Sequence, residues 1–261
     1  MKILPPIPMQ RFEHFVVTRF NIGLWADPKV DIRGRAIDPE QWMSHRIALF
    51  RGICCRSLAA QEEKCFRWVI LLDACTSPRD VRSIIAAAQR TASIVPVLVD
   101  SSRPRIRELQ RVISALVSTR AEYVITTRLD NDDALARRAI AYVQACFAGQ
   151  SKQLVVFPRG FRWCAGRLYR AWEDYDGNAF KSLVEKKTAD VLCTVYEHAC
   201  GSGGWTHVLT LHVEPTWLAT VHGFNLFNHI EGEDSVAGAE QLGAFGVRAS
   251  DLRLAARGAT A

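Results

Sequence analysis

The chain has 261 residues, of which 49% are hydrophobic and 23% are charged, and its formal net charge is +6. This composition is that of a soluble globular protein with one large or two small domains, and its charge weakly favours anionic partners such as nucleotides. Eight cysteines without a Cys-x-x-Cys pair give no zinc framework and indicate reduced thiols. Three prolines break the amino terminus, which has no continuous apolar run for a signal peptide. The late uncharged run 215–230 is too short and too polar to span a membrane, so we expect a cytoplasmic protein.

Strands and helices alternate through the first 148 residues. The predicted strands are 14–20, 67–73, 93–100 and 122–130, and the predicted helices are 38–61, 77–89, 104–119 and 133–147. Asp38 is a suitable helix N-cap, Arg46 is the one basic member of an otherwise apolar helix face, and Pro96 favours an edge position for the third strand. The alternation predicts an α/β fold with a mostly parallel central sheet flanked by helices.

The later part of the chain is less regular. Residues 153–158, 207–213 and 216–223 are predicted strands, whereas 178–187 has the pattern of a short helix. Several tryptophans lie in this part, and aromatic faces can stack on sugars, although most such side chains belong to cores.

Three aspartates follow the fourth predicted strand within four residues: Asp130, Asp132 and Asp133. Like charges this close repel one another unless a cation lies between them. Ligands bind at the carboxyl ends of the strands in such sheets, and Asp73 ends the second strand. A hard divalent cation such as Mg²⁺ or Mn²⁺ accepts carboxylate oxygens and leaves positions open for phosphate. The alternative is an ordinary helix start, capped by Asp132 or Asp133.

Several segments together carry a family resemblance. TTRLDNDDAL is similar to the Asp-x-Asp region of GT-A glycosyltransferases, where an acidic turn after the fourth strand binds a metal. With HFVVTRFN, QWMSHRIALF, FRWVILLD, GNAFKSLVE and TWLATVHGFNLFN, it resembles the bacterial rhamnosyltransferase family. The resemblance implies a GT-A-like fold and metal-assisted transfer of a sugar, rhamnose by the name of the family. The donor would be a nucleoside-diphosphate sugar, the acceptor a saccharide or other hydroxyl compound, and the cofactor Mn²⁺ or Mg²⁺.

The resemblance covers residues 11–230, which we treat as a single catalytic domain because no repeat or clear linker divides them. The nucleotide-binding half would be 11–134 and the acceptor half 135–230. The tail 231–261 is rich in Gly, Ala and Ser and is expected to be loosely ordered. Polysaccharide biosynthesis is the process such a transferase would serve, with no nucleic-acid partner and with peripheral membrane contact left open.

The resemblance also implies roles for individual residues. The residues implied to bind the nucleotide are Thr18, Arg19, Asp73 and Asp130. Asp132 would hold the metal directly, Asp130 would approach it through water, and His222 would be the third ligand. A turn cap for Asp73 and a structural role for His222 stay open as alternatives.

The chemistry also needs a general base, because the acceptor hydroxyl must lose its proton as it attacks the anomeric carbon. Glu185 fits the family motif, and Asp174 and Asp176 are its rivals. An exposed surface charge is the alternative for Glu185. Arg19 and Arg128 suit a pyrophosphate, although Arg128 is also well placed to balance the acidic residues.

Two other classes of function are compatible with parts of the sequence. A phosphotransferase or phosphohydrolase with an aspartate nucleophile also has Asp-x-Asp after a strand, but that motif usually opens the fold. A non-enzymatic carbohydrate- or nucleotide-binding module would use the tryptophans and the positive charge. It leaves the three aspartates unexplained, since acidic groups oppose phosphate. Glycoside hydrolysis by two carboxylates is not excluded by the pattern either.

Overall fold

Two β-sheets and six α-helices account for most of the computed structural model, which describes residues 11–24, 30, 34–91, 93–101, 105–173, 177–187, 207–223 and 235–256. The strands are β1 (Phe12–Arg19), β2 (Arg67–Asp73), β3 (Ser93–Val99), β4 (Tyr123–Arg128), β5 (Ala134–Leu135), β6 (Gln153–Val156), β7 (Arg159–Cys164), β8 (Arg167–Trp172), β9 (Lys181–Lys186), β10 (His207–Thr210), β11 (Trp217–Val221) and β12 (Val236–Ala237). The large sheet has the order β10-β6-β9-β4-β1-β2-β3, and the small sheet has the order β12-β8-β7-β11-β5.

The large sheet is parallel except at β9, which runs antiparallel to both of its neighbours, β4 and β6. β4, β1, β2 and β3 form a continuous parallel block, so their carboxyl ends share one edge. Since β6 also opposes β9, it runs in the direction of β4 and ends at the same edge. The predicted α/β class, with a mostly parallel sheet flanked by helices, is confirmed. Pro96 lies in β3 at the end of the sheet, as predicted.

Helices cover both faces of the large sheet. They are α1 (Pro39–Leu49), α2 (Cys55–Ala59), α3 (Pro78–Ala88), α4 (Arg105–Leu116), α5 (Ala139–Ala145) and α6 (Ala249–Ala256), with a π-helical turn at Phe50–Cys54 and a 3₁₀ helix at Ala239–Phe245. Asp38 caps α1 by accepting from the backbone N–H of Glu40 at 2.9 Å, as predicted. On one face, Leu109 and Ile113 of α4 pack with Phe15 and Val17 of β1, and α1, α3 and α5 pack on the other.

The small sheet fixes the chain just beyond the three aspartates. β5 follows them directly and pairs with β11, which also pairs with β7. Trp217 of β11 lies opposite Gly160 of β7. A Cβ atom at position 160 would lie 2.0 Å from the Trp217 ring, so only glycine fits. The Trp217 indole stacks on Phe180 with ring centroids 4.9 Å apart and donates to the carbonyl oxygen of Phe157 at 2.9 Å.

Two predicted helices differ from the structure. The helix predicted over 178–187 is wrong, because Lys181–Lys186 is strand β9, buried between β4 and β6. Its local composition suits a helix, but pairing with two distant strands decides the conformation. The helix predicted over 133–147 is shortened to Ala139–Ala145, since Ala134–Leu135 is drawn into the small sheet.

The carboxyl-terminal segment corrects another expectation. Residues 235–256 are not a loose tail, because they contribute β12 to the small sheet, a 3₁₀ helix and α6. Leu242, Phe245 and Leu252 are buried in the core beneath the small sheet. Asp251 also forms an ion pair with Arg56 at 3.2 Å. Apolar residues scattered without clear periodicity therefore still complete a core when several short elements share them.

Candidate active site

An acidic turn, residues 130–133, connects β4 to β5 at the carboxyl edge of the large sheet. It begins after Leu129, whose backbone N–H donates to the carbonyl oxygen of Val17 at 3.1 Å, and it is closed by a bond from the N–H of Asp133 to the carbonyl oxygen of Asp130 at 3.3 Å. Asp132 and Asp133 are buried. Buried carboxylates need partners, so their surroundings show how the turn is stabilised.

Each carboxylate of the acidic turn has its own partner. Arg128 donates to both carboxylate oxygens of Asp130, at 3.2 and 2.7 Å. Asp133 accepts from the backbone N–H of Thr220 at 2.9 Å, and the Thr220 hydroxyl donates to the carbonyl oxygen of Asp132 at 2.9 Å. Burial, with the charges of Asp132 and Asp130, raises the pKa of Asp133 well above its usual range. Repulsion is therefore relieved partly by protein cations and partly by a carboxyl group that favours its neutral form.

Asp132 is the most strongly partnered carboxylate of the turn. Its Oδ2 atom forms an ion pair with Arg46 Nη1 and lies 3.0 Å from His222 Nε2. Burial opposes the charged form, but Arg46 and His222 outweigh burial and hold the pKa of Asp132 below its usual range. Burial also lowers the pKa of His222, although Asp132 opposes that shift. The neutral imidazole therefore donates its Nε2–H to Asp132. The His45 ring packs edge-on against His222, with centroids 4.8 Å apart.

Arg46 reaches Asp132 from α1 and is 7% exposed. Its Nη1 also donates to Asn131 Oδ1 at 3.1 Å, and the guanidinium lies over the Trp42 ring, 5.0 Å from its centroid. Asn131 is oriented in turn by donating to the carbonyl oxygen of Phe20 at 2.6 Å. Sequence reasoning did not assign Arg46 or Asn131 to the site. The sequence signal for Arg46 was that it is the single basic residue on an apolar helix face. A buried charge of this kind requires a partner.

The residues predicted to bind the nucleotide have two kinds of environment. Thr18 is fully buried, and its hydroxyl accepts from the Trp68 indole N–H at 3.0 Å, so its side chain belongs to the core. Asp73 is also buried and accepts from the backbone N–H groups of Gly23 and Cys75, both at 2.9 Å. Asp73 thus ties together the loops after β1 and β2, in the manner of a turn cap.

The other two residues predicted to bind the nucleotide, Arg19 and Asp130, lie at the carboxyl edge of the large sheet. Arg19 ends β1 and is partly exposed, and Asp130 is held by Arg128 with part of its side chain open to solvent. β1 lies between β2 and β4 in the sheet. Arg19 at the end of β1 therefore lies between Asp73 at the end of β2 and the acidic turn after β4. A ligand in this crevice would contact Arg19 and Asp130 more directly than Thr18.

The structure does not bring Glu185 to the acidic turn. Glu185 is buried in β9 and pairs with Val124 near the start of β4. Val124 precedes Asp130 by six residues, which is about 20 Å along an extended strand. Glu185 is therefore too far away to deprotonate an acceptor at this turn. Asp174 and Asp176 lie outside the described residues.

Glu173 is a carboxylate that sequence reasoning did not select. It follows β8 and forms an ion pair with Arg162 of β7. Its backbone N–H donates to the carbonyl oxygen of Pro158 at 2.8 Å, and Asn178 donates to the carbonyl oxygen of Phe157 at 2.8 Å. Both contacts are to the segment that follows β6. Glu173 and Asn178 therefore lie at the same edge of the large sheet as the acidic turn.

Comparison with known protein families shows which family the chain belongs to. The sequence profile of the family described as "Putative rhamnosyl transferase" matches residues 9–234. The chain belongs to this family. Membership in the rhamnosyl transferase family confirms the resemblance seen in the sequence motifs and assigns the protein to the glycosyltransferases. The carboxyl-terminal segment 235–256 lies beyond the matched range.

Other comparisons are more distant. No curated protein matches this rhamnosyl transferase family member significantly. Among solved structures, the crystal structure of S. aureus TarS residues 1–349 is similar, with a TM-score of 0.46 and 11% sequence identity. The similarity covers 80% of this chain and 60% of the TarS chain. Within the described residues, no helix has both the length and the apolar character required to cross a bilayer.

A divalent cation was predicted for this rhamnosyl transferase family member, with Asp130, Asp132 and His222 as its ligands, and the spacing of Asp132 and His222 is compatible with one. Adjacent ligands at about 2.1 Å from one ion lie roughly 3 Å apart, which is the spacing of Asp132 Oδ2 and His222 Nε2, at 3.0 Å. Asp130, the other predicted ligand, is bound by Arg128, as Asp132 is bound by Arg46, but it has no histidine beside it among the described contacts. Across the described part of the chain, no group of three acidic, histidine or cysteine side chains converges as a complete ligand set. Asp132 and His222 are therefore the two candidate ligands whose atoms lie close enough to share one ion.

Proposed function

We propose that the protein transfers a sugar from a nucleoside-diphosphate donor to a hydroxyl acceptor at the carboxyl edge of the large sheet, with Mn²⁺ or Mg²⁺ as cofactor. The observation that carries the proposal is the convergence of Asp132 Oδ2 and His222 Nε2, 3.0 Å apart, at the end of β4 in a member of this family. The family name favours rhamnose as the transferred sugar.

The nucleotide is expected in the crevice after β1, β2 and β4, because these parallel strands end side by side. Asp73 orders two loops of this crevice through backbone N–H groups at 2.9 Å. Arg19 and Arg128 supply positive charge for the diphosphate, with Arg128 held in place by Asp130. Asp132 and His222 would hold the divalent cation, which when bound neutralises charge on the leaving diphosphate.

The acceptor is expected on the β6 side of the acidic turn. The described residues flanking 174–176, namely Glu173 and Asn178, both contact the segment after β6. We propose Asp176 or Asp174 as the general base in place of Glu185, because Glu185 pairs with Val124 at the other end of β4. Glu173 forms an ion pair with Arg162, which holds its carboxylate in place on this side of the acidic turn.

Nucleotide binding tests the proposal. Calorimetric titration of UDP and dTDP, with and without Mn²⁺, is made on the wild type and on Asp132→Ala. Glu122→Gln is the matched control, because Glu122 is an exposed carboxylate beside the other end of β4. Binding that needs Mn²⁺ and is lost in Asp132→Ala but kept in Glu122→Gln supports the proposal. If the folded wild type binds neither these nucleotides nor GDP or CDP with Mn²⁺, the proposal is wrong.

A further inference from the structure

Asp132 Oδ2 is shared between two groups that a divalent cation would meet differently. His222 approaches it with Nε2, which can bind a metal once it has lost the proton that it donates to Asp132. Arg46 approaches it with Nη1, which belongs to a positively charged guanidinium and has no lone pair to offer a metal. A cation at this oxygen therefore gains a ligand in His222 and meets repulsion from Arg46.

The position of Arg46 is built by several neighbours and does not depend on Asp132 alone. Asn131 Oδ1 accepts from the same Nη1 atom at 3.1 Å, and the Trp42 ring lies under the guanidinium at 5.0 Å. Asn131 is itself fixed by its 2.6 Å bond to the carbonyl oxygen of Phe20. Because Arg46 is 7% exposed, water screens its charge poorly. The guanidinium is thus held against the carboxylate that a metal would need.

We propose that Arg46 is the resident counter-ion of Asp132 and competes with a divalent cation for the same carboxylate oxygen. In the free protein Arg46 neutralises Asp132 and keeps cation affinity low. A cation gains Asp132 only when Arg46 withdraws, and the diphosphate of a donor offers the anionic oxygens that such a withdrawn guanidinium can bind. The role given to the diphosphate rests on the proposed function, whereas the competition itself does not.

A neighbouring ion pair provides the comparison needed to test this. Asp130 lies two residues before Asp132 in the acidic turn, and Arg128 at the end of β4 binds its carboxylate directly, at 2.7 Å. The two pairs differ in their surroundings, because Asp130 has no histidine beside it among the described contacts, whereas Asp132 has His222. Removing Arg128 therefore frees a carboxylate without creating a two-ligand position.

The experiment measures binding of Mn²⁺ alone, from the loss of the free Mn²⁺ signal in electron paramagnetic resonance. The proteins are the wild type, Arg46→Gln, Arg46→Lys, Arg128→Gln and Asp132→Asn, each checked for native circular dichroism. Arg46→Gln is expected to bind Mn²⁺ about tenfold more tightly than the wild type, the effect of removing one like charge a few ångströms away from a poorly screened site. Arg46→Lys is expected to bind about threefold more tightly, because lysine holds the carboxylate without the planar fork of arginine.

The controls fix the site of binding. Arg128→Gln is expected to leave Mn²⁺ affinity within about twofold of the wild type, and Asp132→Asn to abolish saturable binding. Should Arg46→Gln fail to fold, the same comparison is made with Arg46→Lys, which keeps a cation opposite Asp132. Equal or weaker Mn²⁺ binding in the folded Arg46 variants overturns the proposal. So does tighter binding in Arg128→Gln alone, or the absence of Mn²⁺ binding in every variant. The assay contains no nucleotide. Its result therefore decides whether Arg46 competes with the cation even if the protein does not transfer a sugar.

Discussion

His222 Nε2 lies 3.0 Å from Asp132 Oδ2, and this contact joins the end of β11 to the acidic turn after β4. The two residues are 90 positions apart in sequence, and Thr220 brings them together by donating from its backbone N–H to Asp133 and from its hydroxyl to the carbonyl oxygen of Asp132. The small sheet thus sets the position of one candidate ligand and the large sheet that of the other.

Replacing His222 with Gln is expected to weaken Mn²⁺-dependent nucleotide binding by about tenfold to a hundredfold, since one of two converging ligands is lost. Calorimetry with UDP or dTDP and Mn²⁺ measures the change. His207→Gln is the control, because His207 is exposed in β10. Unchanged affinity in His222→Gln would show that the imidazole only packs against Asp132 and His45.

Asp133 is expected to tolerate asparagine better than alanine. Its pKa is raised by burial and by the neighbouring charges, so a neutral amide resembles its preferred form, and Asn Oδ1 can still accept from Thr220. We expect Asp133→Asn to change the free energy of unfolding by less than about 1 kcal/mol, and Asp133→Ala to lower it by about 1–3 kcal/mol through the unpaired N–H. Urea denaturation measures both. Equal losses in the two variants would mean that the charge of Asp133 is needed.

His14 makes stability depend on pH. It is buried in β1, and burial lowers its pKa from 6.5 to about 3. Gln144 donates to Nδ1 at 3.3 Å, which leaves Nε2–H to donate to the Thr127 hydroxyl at 2.7 Å. Between these two pKa values the unfolded chain binds a proton that the folded protein does not. Stability contributed by neutral His14 is therefore present above pH 6.5 and lost as the pH falls, at up to about 1.4 kcal/mol per pH unit.

The His14→Gln variant tests this pH dependence. Urea midpoints at pH 7.5 and pH 4.5 are compared with those of the wild type, whose other titrating groups are the same. A smaller loss of stability on acidification is expected in the variant. A loss as large as in the wild type would assign the acid sensitivity to other groups.

Gly160→Ala is expected to lower the melting temperature strongly. A Cβ atom at this position would lie 2.0 Å from the Trp217 ring, so the ring has to leave its stack on Phe180. Overpacking of this kind costs about 1–3 kcal/mol or more. Gly243→Ala is the matched control, since a Cβ atom there meets nothing within 4 Å. Similar melting temperatures for the two variants would contradict the close approach of β7 and Trp217.

The sequence predicted those parts of the fold that depend on local pattern. Buried apolar runs such as Arg67–Asp73 predict parallel strands, and the aspartates after β4 predict a polar site at the end of a strand. Strand β9 could not be predicted in the same way, because the pairing that makes Lys181–Lys186 a strand comes from β4 and β6. Glu185 was selected from its motif, and only the antiparallel direction of β9 shows that it points to the wrong end of the sheet.

The candidate site could likewise be predicted only where it depends on local motifs. Asp132 and His222 could be named from their motifs, but Arg46 contacts a residue 86 positions later in the chain, and no local spacing predicts that contact. A buried cation on an apolar helix face shows that a partner exists without naming it. The same limit applies to Glu173 and Arg162, whose ion pair depends on the antiparallel pairing of β7 and β8.

The packing of residues 235–256 has a practical consequence for producing this protein. The family match ends at residue 234, which makes that position an obvious place to stop an expressed fragment. A chain ended there would lack Leu242, Phe245 and Leu252, and the apolar surface they cover around Ile53 and Phe161 would be open to water. Such a fragment would be prone to aggregate. Because α6 carries Asp251, which pairs with Arg56, an affinity tag is better placed at the amino terminus than at the carboxyl terminus.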